Sequence, residues 1–547
     1  MFGQLARMDH DPERDHTLDR LATKFEIDYP HTSIRYQSWA HLINKPTLLE
    51  TASQLDRSDL SNILLSVPER LKYTTDTLTP IPKPKKGWFS NFYRDPHSFF
   101  VLDEKNFFLK IDPVFHFEVG DDIESDDFIF QNTRGIKIRG LIDDKVYFYT
   151  SLYENQQQFL PYIENEIDRI GVIPGQGFFK PYQSGLFDRV NGWDFLNAQG
   201  YVGWKLSTSI DVHFGHGKHF IGNGIRSMLL SDYANNYLYL QLNTRVSIFH
   251  LQNTFAELSA TGSRDNVGDR LLPKKYMAAH YLSLQVSPKL SLGLFESVIF
   301  SRDQGFELQY LNPVILYRTV ERLLDSPDNV LLGLNINYIP VKGIQFYGQL
   351  LLDELRTDQI FSGQGWWGNK VGYQIGGKAF DLFGIPHLDL QVEANSARPY
   401  TYTHRDEDIN ARPAGSYTHF NQALAHPYGA NFTEQIIRIK YRPLERLALT
   451  GLIHHADFGD DPTINVGRNI LLNNESRPSD TGNFTGQGIA HDIMSLHLTA
   501  TWKLAPSYFV DMNIIHRTEQ IEDSPSVRTN YLGFAFRANI SSTRPLL

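Results

Sequence analysis

The sequence predicts an all-β protein, an antiparallel transmembrane β-barrel of the outer-membrane type with about 18 strands and a small helical element at its N-terminus. Two observations predict this fold. Long stretches of the chain alternate apolar and polar residues with period two, which is typical of strands with two different faces. The connections between these stretches switch between tight turns and long loops, as they do in bacterial outer-membrane barrels.

The alternation is clearest in paired segments. In Tyr281–Ser287, three apolar side chains share one face and three polar side chains share the other, and a tight turn at Pro288 leads into another alternating segment. The pattern recurs in Leu332–Tyr338, which is followed by a short turn at Pro340–Gly343. A soluble β-sandwich would also alternate, but it would not need so many strands or long connections so consistently on one side.

Composition excludes several other classes of protein. The chain has 547 residues, no cysteine and a formal net charge of −10. Its mean hydropathy is −0.34, and no run approaches the roughly 20 apolar residues of a membrane-spanning helix, so it is not a helical membrane protein. The acidic balance argues against nucleic acid as a partner. The absence of cysteine excludes a disulfide scaffold, a thiolate metal site and a cysteine nucleophile.

Residues 1–95 do not alternate and are expected to form a separate element. Leu48–Lys72 has leucines near helical spacing, which predicts one or two short helices, and Ile81–Lys86 has the composition of a Pro- and Lys-rich linker. We expect a periplasmic or lumen-plugging element, with a partly disordered extension as the alternative. Met1–Arg20 lacks the apolar stretch of a signal peptide. We therefore expect that the sequence is a mature or truncated form, or that its start site is mis-assigned. If neither holds, the missing apolar stretch argues against a barrel.

Residues 96–547 are expected to form the barrel. The first strand is predicted at 106–120, the last at 530–540, and hairpins between them at 133–142 with 146–154, 195–206 with 208–214, 234–243 with 245–257, 276–286 with 289–298, 329–338 with 343–352, 369–380 with 386–395, 433–441 with 446–456, and 493–503 with 507–516. An even strand number, with both termini on the tight-turn side, is what a single-chain bacterial barrel requires. Long connections are predicted on the other side, at 121–132, 155–194, 215–233, 258–275, 299–328, 353–368, 396–432, 457–492 and 517–528, with short helices at Pro161–Ile170 and Val320–Leu324.

Several polar and aromatic residues are candidates for ligand contact. The Gly-rich segment Gly215–Gly224 lacks the order of a phosphate-binding loop, but Lys218 and Arg226 could meet an anionic sugar there. Loop aromatics could stack on sugar rings, and the alternative is that they form an outer aromatic girdle or pack the loops. The candidates are Trp366, Trp367, Tyr400, Tyr402 and Tyr417. Arg438, Lys440 and Arg442 share one strand face and would favour anions if they line an open pore.

No catalytic residue, metal ligand set or cofactor site is predicted. His454 and His455 point to opposite faces of a strand, and Asp457 could join His455, but two ligands are too few for a metal. The acidic doublets fall in turns and loops, where Asp is common and could at most form a weak surface Ca²⁺ site. The chain shows no nucleophile elbow or zinc-protease motif. We expect a protein that is not an enzyme.

Several segments are similar to those of a known family. They are Asn132–Gly140, Phe148–Gln156, Phe214–Ser231, Phe306–Gly333, Tyr347–Glu354 and His419–Ala430. In this order, across residues 100–540, they resemble the Wzi-like outer-membrane barrels of the Bacteroidetes, the group that includes the gliding-motility protein RemB. The resemblance implies an outer-membrane barrel that takes part in capsule assembly by binding surface polysaccharide, or a surface protein linked to gliding. The sequence is closer to the RemB branch.

Three functions remain open from the sequence. A cell-surface protein that binds or organises surface or capsular polysaccharide, or takes part in adhesion and gliding, predicts glycan affinity. A subunit of a motility or secretion assembly predicts envelope proteins as partners. An anion-preferring porin predicts conductance in a lipid bilayer. All three place the protein in the outer membrane, in contact with its lipid.

Overall fold

The computed structural model describes most of the chain. The described residues are 11–25, 31–35, 52–66, 88–94, 97–125, 127–143, 145–183, 191–261, 272–302, 305–354, 357–360, 362–406 and 414–541. The linker predicted at Ile81–Lys86 lies outside them.

Eighteen strands of the described residues form a closed antiparallel barrel, which confirms the predicted fold class. They are β2 (Phe107–Asp122), β3 (Asp127–Ile142), β4 (Val146–Gln158), β6 (Asn191–Lys205), β7 (Ile210–Gly217), β8 (Tyr237–Val246), β9 (Phe249–Ser259), β10 (Lys274–Ser287), β11 (Leu290–Phe300), β12 (Asn329–Val341), β13 (Ile344–Glu354), β14 (Lys370–Ala379), β15 (Leu388–Ala397), β18 (Phe432–Leu444), β19 (Leu447–Asp460), β20 (Ile489–Ala505), β21 (Tyr508–Ile521) and β22 (Val527–Ala538). The barrel closes where β2 pairs with β22, for example Phe117 with Phe536.

The sequence missed four short strands. Two of them extend the sheet: β1 (Phe100–Glu104) pairs with the start of β2, and β5 (Phe179–Gln183) pairs with β6. The other two, β16 (Thr418–His419) and β17 (Gln422–Ala423), form a small hairpin inside a long loop. None of the four is long enough to show two-residue alternation.

The barrel has a turn end and a loop end, named for the connections found there. The first barrel residue, Phe107, pairs with Ile142 beside the tight turn between β3 and β4, and Ala538 pairs with Tyr508 beside another tight turn. The strand set therefore begins and ends at the turn end. The long connections predicted at 121–132 and 517–528 are wrong, because β2, β3, β21 and β22 extend until only 123–126 and 522–526 remain as turns. Polar residues occupy both strand faces there, so alternation gave no signal.

The barrel exposes its apolar residues and buries its polar ones. On β12 the outward side chains of Leu332, Leu334 and Ile336 are 44%, 49% and 44% exposed, whereas the inward Asn335 and Asn337 are 3% and 5% exposed. A water-soluble sandwich would show the reverse. A continuous apolar outer wall is the surface that a barrel presents to lipid, and we call it the apolar belt.

The described residues also form five α-helices: α1 (Pro12–Phe25), α2 (Gln54–Ser66), α3 (Pro161–Ile170), α4 (Tyr317–Leu324) and α5 (Thr357–Ile360). In the described part of the chain, none is both long and apolar enough to span a membrane. The helical N-terminal element is confirmed: α2 falls inside the segment where helices were predicted, and α1 is an additional helix. The short helices predicted in the loops correspond to α3 and α4.

Helices α1 and α2 lie in the lumen near the turn end. The Asp11 carboxylate caps α1 by accepting hydrogen bonds from the backbone N–H groups of Glu13 and Arg14 at 3.0 and 3.2 Å. The buried Arg20 guanidinium then joins both helices to the wall, with contacts of 2.5 Å to Asp389 on β15 and 3.0 Å to Asp56 on α2. Since buried charges need partners, these ion pairs fix the helices in place.

A second ion-pair group holds α1 against another strand. Asp19 contacts Arg35 at 3.0 Å and Lys378 on β14 at 2.6 Å. Burial alone would raise the pKa of Asp19, but the neighbouring Arg35 and Lys378 hold it at about 2. The carboxylate is therefore ionised at neutral pH, as its two cationic partners require.

Candidate functional site: the loop cap and its cleft

Long connections close the loop end of the barrel. Two of them, 218–236 and the described residues 398–406 and 414–431, turn inward and pack on each other, and we call the pair the loop cap. Three fully buried tyrosines donate hydrogen bonds to backbone carbonyls here. Tyr402 donates to Met228 at 2.7 Å and Tyr417 to Leu229 at 2.9 Å, which join the two connections, and Tyr400 donates to Asn465 at 3.0 Å, which joins them to the loop 461–488.

These tyrosines were predicted as glycan contacts. In this structure Tyr400, Tyr402 and Tyr417 are 0% exposed, so no ring face is open to a sugar. Their place in the loop cap matches the alternative weighed at the sequence level, in which the aromatics pack the loops. A glycan would reach them only after the loop cap opened.

A buried ionic cluster fastens the loop cap to the barrel wall. At its centre, the Glu434 carboxylate on β18 accepts hydrogen bonds from Arg226 at 2.9 Å and Asn395 at 2.8 Å. It also contacts His426 and His454 at 2.8 and 3.0 Å. Arg226, another predicted glycan contact, is thus committed to an ion pair inside the barrel.

Two buried histidines of the loop cap have hydrogen-bond partners that define a neutral tautomer. His419 Nδ1 accepts from the backbone N–H of Ser259 at 2.9 Å, so Nε2 carries the proton and donates to the Asn236 carbonyl at 3.1 Å. His426 Nδ1 accepts from the backbone N–H of Tyr428 at 3.2 Å, and Nε2 donates to Glu434. Burial lowers the pKa of His419 to about 3 and, against the opposing effect of Glu434, that of His426 to about 4.

A cleft opens on the outer side of the loop cap, between α3, the loop cap and the loop 461–488. Its enclosed part is small, about 20 Å³, which is room for about one water molecule, and the rest is open to solvent. The residues that matter for its chemistry are Glu166, Arg169, Tyr233, Asn421, Tyr428 and Arg468. We call it the cap cleft.

Three buried polar atoms lining the cap cleft have no hydrogen-bond partner among the described residues. They are the Arg468 Nε, the Tyr428 hydroxyl and the Asn421 Oδ1. Buried polar groups are almost always paired, because leaving one unpaired costs about 1–3 kcal/mol. A bound water or another small polar group in the cleft would supply the missing hydrogen bonds.

The cap cleft holds two guanidinium groups, of which Arg468 is offset only partly, by the nearby Asp460 and Glu166 carboxylates. Arg169 forms a two-pronged ion pair with Glu166, with both contacts at 2.6 Å. Arg468 is 8% exposed, forms no ion pair among the described residues, and lies over the Phe458 ring at 4.5 Å. Burial and the nearby Arg169 guanidinium lower the pKa of Arg468, so an anion bound here would relieve the repulsion between the two cations.

The remaining predicted glycan contacts lie elsewhere in the loop end. Lys218 is partly buried and donates to the Gly175 carbonyl at 2.7 Å, and burial lowers its pKa to about 8. Trp366 and Trp367 are half-buried in a different loop. The Arg477 guanidinium lies over the Trp367 ring at 3.9 Å and Lys370 lies at 5.1 Å. The predicted contacts therefore do not meet in one site.

The predicted lumen charges meet the N-terminal helices. Lys440 pairs with Glu13 on α1, and Arg442 pairs with Asp59 on α2. Arg438 donates to Gln391 at 2.6 Å and contacts His16 at 3.3 Å. The helices therefore occupy the space that these cations would line in an open pore.

One further cluster of potential ligands lies on the outer face of the wall. His455, Asp457 and Asp492 bring their ligand atoms within 4.8 Å of one another. The third member was missed because it comes from β20, opposite Asp457 in the register. These side chains are exposed or half-exposed and pair with each other, for example His455 with Asp492 at 3.1 Å.

Comparison with known proteins gives a similar fold and no family. No protein-family model and no curated protein matches the sequence. The fold is similar to that of Wzi, an outer membrane protein involved in group 1 capsule assembly in Escherichia coli and described as a carbohydrate-binding β-barrel. The two chains share 13% identity with a TM-score of 0.59, over 98% of this chain and 100% of Wzi. OprD of Pseudomonas aeruginosa is 9% identical, with a TM-score of 0.43 over 78% of this chain and 94% of OprD.

At this identity, the similarity to Wzi shows the barrel fold alone. The resemblance to Wzi-like barrels is thereby confirmed as a resemblance of fold. Its narrower part, a relation to RemB and the Bacteroidetes, stays a prediction.

Sequence reasoning did not find the cap cleft. The cleft is lined from three different connections, which contribute Arg169, Tyr428 and Arg468, and no sequence motif links these residues. The one available signal was the helix predicted at Pro161–Ile170 within a loop, which carries Arg169 in its last turn. Which other loops approach that helix depends on how the barrel closes.

Proposed function

We propose that the protein is a non-enzymatic outer-membrane barrel that binds an acidic polysaccharide at the cell surface through the cap cleft. The observation that carries the proposal is the set of unpaired buried polar atoms beside Arg468, whose guanidinium forms no direct ion pair among the described residues. The apolar belt supports a place in the membrane. With the turn end towards the periplasm, the loop cap faces the outside.

The chemistry of the cap cleft suits a sugar acid. A guanidinium that lacks a carboxylate partner favours a uronate or another acidic substituent. The Tyr428 hydroxyl and the Asn421 carbonyl oxygen can each serve a sugar hydroxyl. Tyr233 lines the same cleft and adds an aromatic surface for the apolar face of the ring. The carbohydrate binding described for Wzi, which shares the fold, agrees with this proposal.

The filled lumen argues against the porin alternative. The N-terminal helices occupy the turn end and the loop cap occupies the loop end, so Lys440 and Arg442 are neutralised by acidic partners. A role in gliding, or in a motility or secretion assembly, remains a prediction from the resemblance. No contact or surface described above favours it.

The test is binding of purified acidic and neutral oligosaccharides to the detergent-solubilised protein by calorimetry. We expect binding of uronate-containing chains alone. Replacing Arg468 with Gln should weaken it about 10- to 100-fold, the usual worth of a charge-assisted hydrogen bond. Tyr428→Phe removes a hydroxyl that lacks a partner in the free protein, so it should weaken binding without lowering stability.

A matched control separates the cap cleft from general surface charge. Arg134 is exposed on the outer wall and pairs with Glu154 at 3.2 Å. Arg134→Gln removes the same charge and should leave affinity unchanged. Equal affinity for acidic and neutral chains, or equal loss in the Arg134 and Arg468 variants, would contradict the proposed site.

A further inference from the structure

One long connection does not join the loop cap. Residues 306–324, between β11 and β12, fold down over the outside of the barrel wall, and we call this segment the flap. It contains a short 3₁₀-helix, Leu308–Leu311, followed by α4. Its inward side chains, among them Tyr310, Tyr317 and Val320, are buried against outward-facing residues of β9 to β12.

The flap covers a polar stripe on the outer wall. Asn253, His280 and Glu296 lie opposite one another on the neighbouring strands β9, β10 and β11, and all three side chains point outward. At the same level the adjacent strands carry Leu242 and Leu332, which belong to the apolar belt. Without the flap, the stripe would be a polar interruption of an apolar surface.

Specific contacts match the flap to this stripe. Asn253 donates to the Pro313 carbonyl at 3.0 Å, and the Tyr317 ring stacks on His280 with 4.0 Å between centroids. The Glu296 carboxylate accepts from the backbone N–H of Arg318 at 3.2 Å, in the first turn of α4. That helix has no side-chain cap of its own, so the wall supplies the anion that its N-terminus favours.

The base of the flap is also fixed. Arg302 forms a two-pronged ion pair with Asp328 at 2.7 and 2.6 Å. The same carboxylate accepts from the Tyr310 hydroxyl at 2.7 Å and from Ser326 at 2.6 Å. The two ends of the connection are thus tied together, and the flap is held against the wall.

The outer side of the flap exposes several large apolar side chains, which is unusual for a loop in contact with water. Val314 is 81% exposed, and the exposed fractions of Leu308, Leu316 and Leu323 are 72%, 63% and 73%. These residues continue the apolar belt, because Leu332 and Leu334 next to the flap are 44% and 49% exposed on the same face of the wall. By helical periodicity, Arg318 and Arg322 lie on a different flank of α4 from Leu316 and Leu323. Arg318 pairs with Glu321 at 2.6 Å, so the exposed Arg322 is the cation that this flank offers to a partner. A helix with one apolar and one basic flank is typical of a membrane interface.

We propose that the flap lies in the outer-leaflet interface and binds lipid, with its leucines and valine against acyl chains and Arg322 at lipid phosphates. The flap replaces a polar stripe by a lipid-compatible surface and widens the apolar belt on this side of the barrel. This inference rests on the proposed membrane location.

Site-specific spin labelling tests the inference, since the chain has no cysteine. Nitroxides are attached at Val314→Cys and Leu323→Cys in protein reconstituted into phosphatidylethanolamine–phosphatidylglycerol vesicles. Their collision with oxygen, which concentrates in lipid, is compared with that of a water-soluble nickel chelate. Leu334→Cys in the belt is the lipid reference, and Phe484→Cys, 62% exposed in a loop-end connection, is the water reference.

We expect the labels at 314 and 323 to prefer oxygen, as the label at 334 does. Preference for the nickel chelate, as at 484, would overturn the flap proposal while leaving the barrel in the membrane. Protection from both reagents would also overturn it, because it would show a protein contact. Nickel access at 334 itself would show that the proposed membrane location is wrong.

Discussion

Acidification should release the loop cap, because His419 and His426 are buried in neutral form. Their Nδ1 atoms accept backbone N–H groups, of Ser259 and Tyr428. A proton added at Nδ1 would point at another N–H group and break that hydrogen bond. In an open loop cap, both histidines would return to the ordinary value of about 6.5.

The direction of the pH effect follows from proton binding. The closed form has pKa values of about 3 for His419 and about 4 for His426, so below pH 6.5 the open form binds more protons and closure becomes less stable as pH falls. Between pH 7 and about pH 4.5, linkage gives a loss of about 2–3 kcal/mol for each histidine, or about 5 kcal/mol for both. The contribution of the two neutral histidines to closure of the loop cap is fully present above pH 6.5 and is lost progressively towards pH 4.

Hydrogen exchange measures this loss directly. Peptides covering 417–429 should exchange about 4,000-fold faster at pH 4.5 than at pH 7 after correction for the intrinsic pH dependence, since each factor of ten corresponds to about 1.4 kcal/mol. Replacing both His419 and His426 with Gln should make the hydrogen exchange of 417–429 nearly independent of pH. The matched control, His516→Gln, removes an exposed histidine. This variant should keep the pH dependence of the original protein. Protection of 417–429 that is equal at both pH values would refute the reasoning.

Three other substitutions test the packing of the lumen and the loop cap. Arg20→Leu leaves Asp389 buried without its guanidinium and leaves Asp56 with Lys24 alone, at 2.8 Å. The docking of α1 should therefore weaken by about 3–5 kcal/mol, seen as faster hydrogen exchange of 12–25; unchanged exchange would contradict the role of Arg20. Gly467→Ala should destabilise the loop cap in thermal unfolding, because residue 467 has φ +89° and an added Cβ would lie 2.6 Å from the Tyr400 nitrogen; a stabilised variant would contradict this packing. Tyr402→Phe removes one hydrogen bond to Met228 and should cost about 1 kcal/mol, with retained glycan binding, since this ring is buried; lost binding with an unchanged fold would make Tyr402 a ligand contact.

The eighteen barrel strands could be predicted because each is long enough to show its two faces. Leu332, Leu334 and Ile336 alternate with polar residues, and the structure places them on the outer wall. The prediction failed where the pattern stops carrying information. The four-residue turn at 123–126 lies between strand ends rich in Asp, and the hairpin of β16 and β17 is too short to alternate.

The candidate site could not be found in the same way. Tyr400, Tyr402 and Tyr417 look like exposed loop aromatics in the sequence, yet they pack the loop cap. Arg438 and Lys440 were correctly placed on a common face, but the Glu13 carboxylate that neutralises Lys440 comes from more than 400 positions earlier in the chain. Local sequence gives the direction in which a side chain points and not what it meets there.

The sequence by itself determined the strands, their two faces and therefore the barrel, because a period-two pattern is a local property of the chain and one face must meet an apolar solvent. Only the tertiary structure decided which loops turn inward, which loop lies on the outer wall and which cations remain unpaired. Those outcomes depend on contacts between residues hundreds of positions apart. The surroundings of the Arg468 guanidinium and of the polar stripe under the flap are defined only once the barrel is closed.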